Sequence, residues 1–96
     1  MVVPEEVAAA LAGRVKQLRL ARQWKQSTLA EAAGVSLASL RRFEQTGQIS
    51  LKSLLHLSFA MGRLSEFDAL MQPPPAESLA ALEARSSVPR RKRGSQ

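Results

Sequence analysis

The chain has 96 residues, is 45% hydrophobic, contains no cysteine and one histidine, and carries a formal net charge of +6 with a pI near 11.2. A chain this long supports one small domain with a modest core, and lack of cysteine excludes a disulfide framework and a thiolate metal site. No apolar run approaches the ~18 residues a membrane crossing needs, and Glu5 and Glu6 stand where a secretory leader would be basic, so a cytoplasmic protein without metal or cofactor is expected.

Pro4 followed by Glu5 and Glu6 suits a helix start, with proline tolerated in the first turn and carboxylates facing the positive dipole end. Val7, Leu11, Val15 and Leu18 continue one apolar stripe, which predicts a first helix from Pro4 to Arg22. Gly13 interrupts it at a cost of ~1 kcal/mol relative to alanine. The folded core is therefore expected over residues 13–72, with residues 1–12 an extension of the first helix. Trp24 lies in the link to a second helix, Gln26–Ala33, whose apolar face is Leu29, Ala30 and Ala33. Gly34 stands where the chain must leave that helix in a left-handed conformation. Val35 plugs the turn, and Ser36 is an N-cap for a third helix over Leu37–Gln45. This helix buries Leu40 and Phe43 and is expected to present Leu37, Ala38, Ser39, Arg41 and Arg42 outward.

Thr46-Gly47-Gln48 reads as a turn, and Ser50 as the N-cap of a fourth helix from Leu51 to Met61. Its expected inner face is Leu51, Leu54, Leu55, Ser58 and Met61, with Leu57 and Phe59 outside that stripe. Gly62 ends it. Ser65 is the expected cap of a short fifth helix, Glu66 to Met71, carrying Phe67, Leu70 and Met71. Pro73-Pro74-Pro75 stops the domain and stiffens the exit. Residues 73–96 then form a proline-rich exit and a flexible basic tail ending in RRKRGSQ, in which Leu79 and Leu82 allow a further turn or two of helix. The fold class is all-α: five helices with a basic C-terminal tail.

The sequence of short helix, glycine turn and capped second helix is the geometry of a helix-turn-helix, which sets a helix into the DNA major groove. Charge distribution agrees. Between Arg14 and Lys52, eight basic residues face only Glu31 and Glu44, and five more beyond Pro73 face Glu77 and Glu83. A polyanion is the favoured partner. Catalysis fits poorly: there is one histidine, His56, no phosphate-cradling glycine loop, and the carboxylates are scattered over separate helices.

Taken together, GRVKQLR in the first helix, QSTLAEAAGVS through the second helix and the turn, SLASLRRFEQTG in the third and ISLKSLLHLSFAMG in the fourth resemble the Cro/Xre family of phage-repressor-type helix-turn-helix domains. The likeness spans Gly13 to Met71. FEQTGQISLKSLLHLSFAMG and the following LSEFDALMQPPP are similar to HipB-type antitoxins, DNA-binding partners of HipA-type serine/threonine kinase toxins. The resemblance implies that Gln26 bonds the DNA backbone and steadies the third helix. It implies that Leu37, Ala38 and Arg42 face base edges and that Ser36 and Ser39 lie near phosphates. Arg42 has the fork to chelate guanine O6 and N7, whereas Leu37 and Ala38 can only meet thymine methyls. Arg41 is as well suited to a phosphate. Thr46 and Gly47, through backbone amides, and Lys52, through its ammonium, are candidates for another phosphate.

The sequence departs from the family at Lys25, where Thr, Ser or Asn is usual as N-cap; a lysine cannot cap, at ~1 kcal/mol, but brings a charge to the DNA edge. Arg19 and Glu44 match a family ion pair tying the first helix to the end of the third. Phe59, Phe67, Leu70 and Met71 exceed what one small core can cover, so a homodimer on an inverted repeat is expected. The expected function is an autoregulating repressor of duplex DNA that also binds a kinase-like toxin. The alternatives are a stand-alone phage-type regulator and a protein-interaction module that does not bind DNA.

Overall fold

Local chemistry sets where each helix begins and ends. In the computed structural model, which describes residues 3–75, the elements are α1 (Pro4–Ala21), α2 (Gln26–Ala33), α3 (Leu37–Thr46), α4 (Leu51–Ala60) and a closing 3₁₀ segment, η1 (Leu64–Ala69). The fold is all-helical, with no strand among the described residues. The tail from residue 76 onward, including Leu79, Leu82 and the RRKR run, lies outside the described residues.

Two serines cap as expected: Ser36 Oγ accepts from the Ser39 amide at 3.0 Å and Ser50 Oγ from the Ser53 amide at 3.1 Å. Lys25 precedes α2 without any side-chain cap bond. Gly34 ends α2 at φ 71°, with the Val35 amide reaching back to the Ala30 carbonyl at 3.0 Å. This closes the turn before α3. Gly47, at φ 80°, ends α3 where a Cβ would stand 3.1 Å from the Ala8 carbonyl carbon. Positive φ and close approach to α1 both demand glycine there.

That contact brings the first turns of α1 against the end of α3. α1 runs unbroken through Gly13, Ala8 packs against the end of α3, and Ala12 is buried in the core. The first helix therefore joins the fold well before residue 13. α1 rests on α3, and α2 rests on both α3 and α4. Their shared core is Ala12, Val15, Leu29, Ala30, Ala33, Val35, Leu40, Phe43, Leu54, Leu57 and Met61.

α4 departs from its expected register. Leu57 is fully buried, whereas Leu51 is largely exposed. The inner stripe is centred on Leu54, Leu57, Ser58 and Met61, and Leu51 falls at its edge in the first turn. Buried Ser58 is satisfied by its hydroxyl donating to the Leu54 carbonyl at 2.9 Å. η1 also differs: it is a 3₁₀ segment that starts at Leu64, has no side-chain cap from Ser65, and buries no residue.

Candidate nucleic-acid interface

α3 is seated from within. Leu40 and Phe43 are 0% and 1% exposed, and at the same end of the helix Glu44 is drawn into an ion-pair network. Arg19 Nε donates to Glu44 Oε2 at 2.8 Å and Arg19 Nη2 to Glu44 Oε1 at 3.0 Å. A third Arg19 nitrogen, Nη1, donates to the Trp24 carbonyl at 2.8 Å. The two side chains are only 8% and 4% exposed, so each charge depends on the other. The fork geometry of arginine suits this task and a lysine would not reproduce it.

Gln26 joins the same network, its Nε2 donating to Glu44 Oε1 at 3.0 Å. One amide hydrogen of Gln26 is thus fixed on α3, while the second hydrogen and Oε1 have no partner among the described residues. The link between α2 and α3 that the family resemblance implied has a physical basis in this bond.

The outward face of α3 holds Ala38, Arg41 and Arg42, all exposed, with Ser36 exposed and Ser39 half-buried. The Ser36 hydroxyl donates to Ser39 Oγ at 2.8 Å while also capping the helix, so Ser39 keeps the hydroxyl hydrogen available for an outside acceptor. Lys25 and Lys52 are exposed at the starts of α2 and α4. Ser39, Arg42, Gln48, Ile49, Ser50 and Ser53 line an open cleft of about 270 Å³ between α3 and the start of α4.

Three expectations change here. Leu37 is not turned outward: it is partly buried and packed against the core, as its position one turn before Leu40 favours. The backbone amides near Thr46 and Gly47 are already engaged. Gly47 N–H donates to the Phe43 carbonyl at 2.8 Å, Gln48 N–H to Thr46 Oγ1 at 3.2 Å, and the Thr46 hydroxyl to the Arg42 carbonyl at 2.7 Å. Of that trio, Lys52 alone keeps an ammonium with no partner among the described residues. Arg22, counted in the basic cluster, holds the fold together. Its Nη2 donates to the Met61 carbonyl at 2.7 Å, and its guanidinium lies 5.2 Å from the Trp24 ring centroid.

One residue was not singled out from sequence. Gln48, in the α3–α4 link, accepts from Arg42 Nη2 through its side-chain oxygen. A glutamine after a glycine turn gives no sequence signal for this, because the contact depends on how Gly47 turns the chain.

At the other end, Phe59, Leu70 and Met71 are 70%, 60% and 93% exposed. Phe67 departs from the expected patch, being partly buried against the core. Leu51, Leu55 and Phe59 recur every four residues and form a second apolar stripe on α4. Lys52, Leu55, His56, Phe59 and Leu64 line a shallow, almost wholly apolar cleft of about 230 Å³ there.

Among the described residues there is no group of histidine and carboxylate side chains able to hold a metal, and no helix long and apolar enough to cross a membrane. No family model matches this chain, and no curated protein matches it.

Proposed function

We propose that this chain is a cytoplasmic, sequence-specific repressor that binds duplex DNA as a homodimer on an inverted repeat. One observation carries the reading: α3 anchors Leu40, Phe43 and Glu44 inside while leaving Ala38, Arg41 and Arg42 exposed to solvent. Exposed arginines beside a small residue suit entry into a major groove, where a longer apolar side chain would hold the helix off the bases. In this reading Arg42 chelates a guanine, Ala38 lies against a thymine methyl, and Arg41, Lys25 and Lys52 meet phosphates. Gln26 turns its second amide hydrogen to the backbone phosphate. The exposed Phe59, Leu70 and Met71 supply the dimer contact that sets the two recognition helices about 34 Å apart.

The resemblance of FEQTGQISLKSLLHLSFAMG to HipB-type antitoxins extends the proposal to a kinase-like toxin partner and control of its own operon. A second reading, an interaction module with no role on DNA, would use the apolar cleft at Leu55, Phe59 and Leu64. A dimer needs that same surface, so the cleft does not separate the readings; affinity for DNA does.

Selection from a randomised duplex pool, followed by fluorescence anisotropy against salt, tests the proposal. The expected result is an inverted repeat, with log affinity falling against log salt by roughly 0.9 per phosphate neutralised. Binding that shows no preference among duplexes and no salt dependence would remove the DNA reading and leave the interaction module.

A further inference from the structure

We infer that Gln48 is a specificity-determining positioning residue, which holds the Arg42 guanidinium ready for a base edge. The inference rests on the DNA-binding reading and adds to it a residue outside the recognition helix. Arg42 Nη2 donates to Gln48 Oε1. Gln48 is itself held by a closed loop of contacts: its amide donates to Thr46 Oγ1 at 3.2 Å, and the Thr46 hydroxyl donates to the Arg42 carbonyl at 2.7 Å. Backbone and side chain of Arg42 are thus linked through Thr46 and Gln48. Gly47 fixes the turn between them by its left-handed conformation and its packing against Ala8. Both Arg42 and Gln48 are exposed, so the arrangement does not serve the core.

The consequence follows from the chemistry of arginine. A free guanidinium on a flexible stem meets phosphates of any sequence as readily as a base edge. Held on one nitrogen by a neutral acceptor, it retains four N–H donors, and its plane is restricted before DNA arrives. Ordering lost in advance favours the one geometry that fits two parallel bonds to guanine. Gln48 therefore acts through Arg42 and contributes discrimination more than affinity.

The test is a double-mutant cycle on the full chain, read on the best duplex from the pool selection and on a random duplex. Gln48→Ala is expected to weaken the selected duplex about tenfold and the random duplex less than about twofold, without shifting the thermal melt. Its base-preference profile should flatten at the same base pair that Arg42→Ala flattens. In the Arg42→Ala background, Gln48→Ala should have no further effect. Gln48→Glu keeps the acceptor, so it should preserve preference at that base pair while weakening all duplexes alike through added negative charge. Equal losses on both duplexes, or an undiminished loss in the Arg42→Ala background, would overturn the assignment. A wild-type chain that does not discriminate among duplexes overturns the DNA reading and this inference with it. A discriminating wild type indifferent to Gln48→Ala overturns this inference alone.

Discussion

The two ends of this small fold are finished to different degrees. Around α3, the charged and apolar groups that face inward are matched: Leu29, Leu40 and Phe43 are shut away, Ser36 caps its helix, and Glu44 is held by Arg19 and Gln26. At the α4–η1 end, no residue of η1 is fully buried, Phe67 alone leans on the core, and Phe59, Leu70 and Met71 lie open. The first region is complete in one chain. The second leaves apolar side chains open, as a surface that meets a partner does. The difference teaches where mutations should be read: stability at the α3 end, association at the other.

The largest effect is expected from Glu44→Ala. It leaves the Arg19 guanidinium buried without its carboxylate, which costs about 3–5 kcal/mol, a large part of the stability of a small domain. Urea unfolding at fixed protein concentration checks it. A loss under about 1 kcal/mol would mean the pair behaves as a surface pair, and the α3 end would no longer differ in kind from the other. Phe59→Ala is the counterpart. With Phe59 70% exposed, it should leave the unfolding free energy of the monomer within about 0.5 kcal/mol. In a twofold dimer it removes about 2 kcal/mol from each side, so the dimer should weaken roughly 100- to 1,000-fold by sedimentation. Unchanged association would assign the patch to some other partner.

Much of this contrast was legible in the sequence, and the reasons differ by element. Helix limits were readable where a residue has one physical use: Pro4, Gly34, Ser36, Ser50 and Gly62 all punctuate where expected. The Arg19–Glu44 partnership came from family likeness, and its geometry explains why: the two residues are far apart in sequence and no local pattern joins them. Leu57 and Leu51 were exchanged because α4 is apolar on two stripes, so periodicity alone cannot say which stripe faces α2. Gln48 and Arg22 were beyond sequence reasoning, since each answers a backbone or side chain brought near only by the turns.

Lys25→Thr sharpens the comparison inside the α3 end, where α2 is the one helix of its pair without a side-chain cap. A hydroxyl there should bond a free amide of the first turn and stabilise the fold by about 1 kcal/mol. The same change removes an exposed ammonium, so the salt slope of DNA binding should fall by about one per protomer. A more stable protein with weaker, less salt-dependent binding is the expected combination. Gained stability with an unaltered slope would take Lys25 out of the interface.

The smallest effect divides the two ends most cleanly. Gln23 and Met71 are the two non-glycine residues with positive φ among the described residues, at 60° and 58°. Gln23 closes α1: its amide reaches the Leu20 carbonyl at 2.9 Å, and the Trp24 amide reaches the Arg19 carbonyl at 3.1 Å. Gly34 and Gly62 hold the equivalent place after α2 and α4, so Gln23 is the member of the set that bears the left-handed strain. Gln23→Gly relieves roughly 1 kcal/mol of that strain and loses part of it to the greater freedom of glycine in the unfolded chain. A net gain of about 0.5 kcal/mol is expected, or a rise in Tm of about 2–4 °C. Met71→Gly should relieve the same local strain and leave Tm unchanged. At 93% exposure beyond a segment with no fully buried residue, Met71 is expected to open locally before the core unfolds, so its strain should not enter the global transition. Equal gains at the two positions would show that the η1 end unfolds together with α3, and the division between the two ends would fail.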